Sequence, residues 1–130
     1  MRTLVRYYSR SGNTKVLAEA IAEAAGVKAV SVDSPEAVIK DETDVLFIGG
    51  ALYAYGLDKH LKAYIEGLDA SKVKKAVVFS TSWLSKHSID LLKNSLKARG
   101  IEVADEYFYA KNKPTESQLN DAKAFAKKFI

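Results

Sequence analysis

Two hydrophobic patterns alternate along this chain of 130 residues. Short apolar runs such as 45–48 and 76–79 are typical of strands buried on both faces, and between them apolar residues recur at helical spacing. The patterns predict strands near 2–8, 28–32, 44–49, 75–81 and 102–109, helices near 13–25, 57–67, 87–99 and 116–129, and a short turn or helix after Pro35.

Alternation of strands and helices favours an α/β fold in which a parallel, doubly wound sheet is covered on both faces. A chain of this length with 48% hydrophobic residues can bury the core of one domain, 1–130, but is too short for two. Ligands of such folds bind outside the carboxyl ends of the strands. The loops after the strands are therefore where candidate functional residues are expected.

Composition excludes several kinds of chemistry. Without cysteine, the chain has no disulfides, thiolate metal sites, iron–sulfur clusters or thiol redox chemistry. The two histidines, His60 and His87, have no ligand spacing and are expected at surface or helix-start positions. Asp33 and Asp58 are the carboxylates nearest the predicted crevice, and neither is expected to be catalytic. No catalytic residue and no metal site is predicted.

Charge and hydropathy indicate where the protein works. No apolar run approaches the roughly 20 residues of a membrane span, so a soluble cytoplasmic protein that does not bind membranes is expected. The net charge of +4 comes from scattered lysines and arginines, and no stacking platform interleaved with arginine accompanies them. Nucleic-acid binding is therefore not favoured.

The loop after the first strand has the composition of a phosphate-binding loop. Ser9-Arg10-Ser11-Gly12-Asn13-Thr14 supplies three hydroxyls, a glycine and the free N–H groups at the start of a helix. It lacks the lysine of a nucleoside triphosphate loop, so it predicts a phosphate monoester on a mononucleotide, with FMN expected. The alternative is that Ser11 or Asn13 merely caps the helix.

Two further loops contain aromatic residues. Gly49 to Gly56 follows the third strand and includes Tyr53 and Tyr55, and Ser80 to Ser85 follows the fourth and includes Trp83. Aromatic rings in converging loops are suited to stack on a planar aromatic ligand. The alternative is that they anchor the loops to the core.

These motifs resemble the flavodoxin family. Residues 8–14, Tyr-Ser-Arg-Ser-Gly-Asn-Thr, are similar to its phosphate-binding signature, 50–54 and 79–82 to its second and third flavin loops, and 114–129 to its closing helix. Too few residues follow Arg99 for the insertion of the long-chain branch, so the short-chain branch is indicated. The resemblance implies a flavodoxin-like three-layer sandwich, with a five-stranded parallel sheet in the order 2-1-3-4-5 and helices on both faces.

The resemblance also implies noncovalent FMN, with its phosphate on the first loop and its ring between the other two. The expected cofactor-binding residues are Ser9, Arg10, Ser11, Gly12, Asn13, Thr14, Ala51, Leu52, Tyr53, Ala54, Tyr55, Gly56, Ser80, Thr81, Ser82, Trp83 and Leu84.

An electron carrier is the expected function. It would be a monomeric, low-potential protein that exchanges electrons with redox proteins such as a ferredoxin or a flavoprotein reductase. Lys59, Lys86, Lys111 and Lys113 near the predicted site differ from the acidic flavin edge of familiar flavodoxins. An FMN-dependent NAD(P)H- or quinone-linked reductase is the alternative, although the chain has no Gly-x-Gly-x-x-Gly motif. A flavin-free binding module of the same fold is a third reading.

Arg6 lies inside the predicted central strand, where a charged side chain is unusual. A buried arginine needs a carboxylate or several carbonyl partners, and the sequence does not identify them.

Overall fold

The computed structural model describes residues 1–53, 56–82 and 86–130, and for Leu52 and Tyr53 only the backbone. The strands are β1 (Thr3–Tyr7), β2 (Ala29–Ser31), β3 (Val45–Gly50), β4 (Leu52–Tyr53), β5 (Gly56–Leu57), β6 (Ala76–Thr81) and β7 (Val103–Ala110). The helices are α1 (Asn13–Ala25), α2 (Lys59–Glu66), α3 (His87–Ala98) and α4 (Glu116–Lys127), and two short 3-10 turns cover Pro35–Ala37 and Ala70–Lys72.

Five strands form a parallel sheet in the spatial order β2-β1-β3-β6-β7. Counted within this sheet alone, the order is 2-1-3-4-5, which confirms the predicted flavodoxin-like α/β fold. The two remaining strands, β4 and β5, form a small antiparallel pair directly after β3. The chain reverses direction beside the carboxyl end of the sheet before α2 begins.

The sheet separates two hydrophobic cores, one on each face. Alternate residues of one strand supply both: Val45 and Phe47 pack with α1 and α4, whereas Leu46 and Ile48 pack with α2 and α3. This division explains why the central strands are apolar at consecutive positions. It confirms the three-layer arrangement and makes the sheet a rigid base for the loops at its carboxyl edge.

The predicted boundaries are close, with one informative error. The helix predicted from residue 57 begins at Lys59, because Leu57 pairs with Leu52 in the antiparallel ribbon and Asp58 caps the helix. The Asp58 carboxylate accepts a hydrogen bond from the His60 N–H at 2.7 Å. Leu57 suits a helical stripe by its hydrophobicity, but strand pairing determines its conformation.

Arg6 has backbone carbonyls as its partners. The residue is 5% exposed; its Nε donates to the Ala37 carbonyl at 3.0 Å and its Nη1 to the Val5 carbonyl at 3.1 Å. The Tyr64 hydroxyl donates to the same Ala37 carbonyl at 2.5 Å. Burial raises the pKa of Tyr64, and the nearby Arg6 charge partly opposes that rise. Arg6, in β1 of the sheet, therefore binds the turn Pro35–Ala37 that follows β2.

One edge of the sheet is irregular. Ala76 lies opposite Val103, but Val78 lies opposite Tyr107, so β7 contains two more residues than β6 over this interval. Asp105 and Glu106, which lie within the irregular stretch, are exposed.

Candidate functional site at the carboxyl edge of the sheet

The loop after β1 ends in a glycine-led helix start. Gly12 has φ +93°, a left-handed conformation that favours glycine, and it has no side chain with which to cap α1. In the described structure no atom outside its immediate chain neighbours lies within 4 Å of the position that a Cβ would take. Ser9 Oγ accepts a hydrogen bond from the Gly12 N–H at 3.0 Å, and Ser11 Oγ accepts one from the Asn13 N–H at 3.3 Å.

A hydrogen bond between two hydroxyls connects the start of α1 to the end of β6. Thr14 and Thr81 are both buried, and their hydroxyl oxygens lie 2.6 Å apart. Each hydroxyl has one proton, so after one donates to the other, the second proton is available to a ligand. The start of α1 and the end of β6 therefore share one polar corner.

Ser80 connects the third loop to the second. Its buried hydroxyl donates to the Gly50 carbonyl at 2.5 Å and lies 2.6 Å from the hydroxyl of Ser88 in α3. Ser82 is bound to β7, because the Tyr109 hydroxyl donates a hydrogen bond to the Ser82 carbonyl at 2.5 Å. These contacts fix the backbone of residues 80–82.

A charged cluster joins the first loop to the second. Arg10 donates from Nε and Nη2 to Asp58 Oδ2, at 3.1 and 2.8 Å. Asp58 Oδ1 lies 2.9 Å from His60 Nδ1, and the His60 ring stacks on Tyr8 with centroids 4.7 Å apart. The Asp58 side chain is only 1% exposed. Charge-assisted hydrogen bonds of this kind are about twice as strong as neutral ones.

The pKa of Asp58 reflects this setting. Burial alone raises it, but hydrogen bonds from the His60 N–H, the His60 ring and Arg10, together with the Arg10 charge, outweigh burial. The pKa of Asp58 therefore lies below its usual range, and the carboxylate is ionised at neutral pH.

This lowered pKa predicts an acid-dependent contribution to stability. The ionised Asp58 stabilises the folded state above its unfolded pKa of about 3.9, and the contribution is lost as pH falls through the folded value. Between about pH 5 and about pH 3, Asp58→Asn should therefore lose less free energy of unfolding than wild type. Urea unfolding at both pH values measures this. Asp121→Asn in α4 serves as the control, and equal losses for Asp58→Asn and wild type would contradict the interpretation.

The structure brings the described part of the predicted site together, since the first loop, Ala51 and Gly56, and the end of β6 all lie at the carboxyl edge. Arg10 is placed by Asp58, and Ser80 is engaged within the protein. Other predicted positions lie outside the described residues or side chains: Leu52, Tyr53, Ala54, Tyr55, Trp83 and Leu84. Their proposed roles stay predictions.

The histidines and lysines are placed as predicted, with one addition. His60 and His87 lie in the first turns of α2 and α3. Lys59, Lys86, Lys111 and Lys113 are all exposed, at or after the carboxyl ends of strands. Sequence reasoning did not find the contacts of His60 with Asp58 and Tyr8. The only local signal for them is the Asp-x-His spacing of a helix cap.

A comparison with protein-family models decides the family. The model of the flavodoxin domain matches residues 4–126, which is nearly the entire chain. The chain belongs to the flavodoxin family. No protein in the curated set matches it.

Solved structures show the same fold as this flavodoxin-family chain. A flavodoxin from the domain Archaea is 23% identical, with a TM-score of 0.87 over 99% of this chain and 96% of that one. Oxidised flavodoxin 1 from Bacillus cereus is 24% identical, with a TM-score of 0.79 over 98% and 96%. Rubredoxin:oxygen oxidoreductase from Desulfovibrio gigas matches 98% of this chain with only 35% of its own, at 20% identity and a TM-score of 0.83. The fold therefore occurs both as a whole protein and as part of a larger one.

Across residues 1–53, 56–82 and 86–130, no group of three or more acidic or histidine side chains is arranged to hold a metal ion. Within the same ranges, no helix has the length and apolar character needed to cross a membrane.

Proposed function

We propose that this protein binds one FMN at the carboxyl edge of its sheet and carries electrons between redox partner proteins. The observation that supports this most is the start of α1. An uncapped helix N-terminus, a left-handed glycine and hydroxyls from two loops converge there.

The donor set fits a phosphate monoester. The first turn of α1 contains no acidic side chain, and its free N–H groups present the positive end of the helix dipole. Ser9, Ser11 and the Thr14–Thr81 pair add hydroxyls that can donate to phosphate oxygens. Arg10, which would otherwise be the loop's cation, is held by Asp58, so neutral donors and the helix dipole would bind the phosphate.

The proposed ring site lies between the 53–56 and 80–84 loops. Hydrogen bonds from Ser80 and Tyr109 fix residues 80–82 at the start of the second loop, and Asp58 caps the helix that follows the first. Trp83 and one of Tyr53 or Tyr55 are proposed to cover the ring because aromatic side chains stack favourably on planar ligands. FMN, when bound, would supply the electron-transfer chemistry, and the chain's residues would bind it, orient it and exclude water.

The exposed lysines favour an acidic partner. Lys59, Lys86, Lys111 and Lys113 lie at or after the carboxyl ends of strands, beside the proposed flavin site. Like charges on one surface steer an oppositely charged protein toward it and raise the rate of association. The proposed partner is therefore a redox protein with an acidic surface, such as a ferredoxin or an acidic flavoprotein reductase.

We expect an acidic flavoprotein reductase or ferredoxin to reduce the FMN-loaded protein rapidly, and NADH or NADPH with a quinone acceptor to give negligible turnover. The rate of partner reduction should fall as ionic strength rises from about 0.01 to 0.15 M, because the Debye length shortens from about 30 to 8 Å. Stopped-flow absorbance at several salt concentrations measures it.

A matched pair of variants locates the charge effect. Lys113→Gln should slow partner reduction at low salt, whereas Lys127→Gln, at the last turn of α4, should not. Repeated turnover with NAD(P)H alone would support the reductase alternative over the carrier. Rates that do not depend on salt would contradict only the electrostatic part of the proposal.

A further inference from the structure

Asp58 is a buried carboxylate whose hydrogen bonds reach two segments of the candidate site. Oδ1 accepts from the His60 backbone N–H at 2.7 Å and lies 2.9 Å from its ring Nδ1, and Oδ2 accepts two bonds from Arg10. Both oxygens are therefore engaged with protein groups. Any effect of Asp58 on a ligand must act through Arg10 or through the start of α2.

The two segments that Asp58 joins are proposed to bind different parts of the same cofactor, FMN. Arg10 lies within the proposed phosphate loop, and Asp58 directly follows β5, which ends the loop proposed for the flavin ring. The contact connects residues 48 positions apart in the chain. The stack of His60 on Tyr8 adds a second connection between α2 and the end of β1.

We propose that Asp58 is a positioning residue that sets the placement of the phosphate loop relative to the flavin-ring loop through its ion pair with Arg10. The inference rests on the proposed FMN function. FMN must engage both loops at once, so a link that holds them in register lowers the conformational entropy lost on binding. Riboflavin engages only the ring loop and gains nothing from this link.

Two substitutions separate this role from simple helix capping. Asp58→Asn retains a side-chain oxygen that can cap α2, because asparagine is as good a cap as aspartate, but it removes the charge that holds Arg10. Arg10→Gln removes the same ion pair from the other side. The double variant, Asp58→Asn with Arg10→Gln, completes a thermodynamic cycle.

The measurement is the dissociation constant of FMN and of riboflavin, each by quenching of flavin fluorescence, for wild type and the three variants. Each single variant should lower the preference for FMN over riboflavin about tenfold, mainly by weakening FMN. The double variant should lower it by the same factor, because one ion pair has been lost in all three.

Three results would overturn the inference. An unchanged FMN preference in the single variants would remove the positioning role, and equal weakening of both flavins would reduce Asp58 to a structural cap. A further loss when Arg10→Gln is added to Asp58→Asn would make Arg10 a direct phosphate ligand.

A control and an independent outcome complete the design. Asp69→Asn alters another capping aspartate, at the turn Ala70–Lys72 before β6, and should leave the FMN preference unchanged. If wild-type protein binds neither flavin, the proposed function fails and the inference fails with it. If wild type prefers FMN while the Asp58 and Arg10 variants retain that preference, only the inference fails.

Discussion

Riboflavin is expected to bind this protein at least about a hundredfold more weakly than FMN. Hydrogen bonds to a charged group contribute about 1.5–3 kcal/mol each, so two phosphate contacts already correspond to a factor of about 10². The loop offers hydroxyls from Ser9, Ser11 and the Thr14–Thr81 pair, and the N-terminus of α1 adds N–H donors. Titration of the apoprotein with each flavin, followed by fluorescence, measures the difference.

Thr14→Val tests whether the phosphate binds at this corner. Valine has nearly the shape of threonine but no hydroxyl, so FMN should bind about tenfold more weakly while riboflavin affinity stays nearly unchanged. Ser11→Ala should act in the same direction. Ser71→Ala, in an exposed turn before β6, is the matched control. Equal losses for both flavins in Thr14→Val would place the phosphate elsewhere.

Gly49→Ala is expected to destabilise the fold severely. Gly49 lies in β3 between Tyr7 and Phe79. A Cβ there would lie 2.3 Å from the Phe79 carbonyl oxygen and 2.4 Å from two of its ring carbons. The backbone of a neighbouring strand cannot move aside without disrupting the sheet, so the free energy of unfolding should fall by about 3 kcal/mol or more. Thermal unfolding should show a loss of roughly 10 °C or more, or no folded protein.

Two other glycines provide a graded control. A Cβ at Gly50 would lie 2.4 Å from Leu61 Cδ2. Because this end of the leucine side chain can move, Gly50→Ala should lower the free energy of unfolding less than Gly49→Ala does. Gly67 ends α2 with φ −89°, and its nearest contacts would lie at 3.5 and 3.6 Å. Gly67→Ala should therefore be neutral or slightly stabilising. A Gly49→Ala protein as stable as Gly67→Ala would show that β3 and β6 are less closely packed than described.

The fold was predictable because its signals are local. Each central strand serves two cores, so residues 45–48 are apolar without a break, and each helix shows one apolar stripe. The start of α2 was not predictable in the same way. Leu57 fits both a helical stripe and a strand, and its pairing with Leu52 is a tertiary contact that local preference does not encode.

The candidate site was also predictable only in its local part. The residue types at 9–14 indicate an anion site, since serine, glycine, asparagine and threonine at a helix start suit an anion. The contacts that position these residues could not be predicted, because Arg10 contacts Asp58 across 48 positions of the chain and Thr14 contacts Thr81 across 67. Arg6 is harder still. Its partners are the carbonyls of Ala37 and Val5, which every residue type possesses, so no sequence signal identifies them.

The irregular edge strand β7 bears on self-association. A regular outer strand leaves a row of unpaired N–H and C=O groups that a second copy can extend into a continuous sheet. Two additional residues over the stretch from Val103 to Tyr107 interrupt that row, and the exposed Asp105 side chain and the Glu106–Lys128 ion pair at 3.0 Å add charged groups to it. A second copy that pairs with β7 would have to break register and desolvate these charged groups. This edge thus resists the strand-to-strand growth that leads to aggregates.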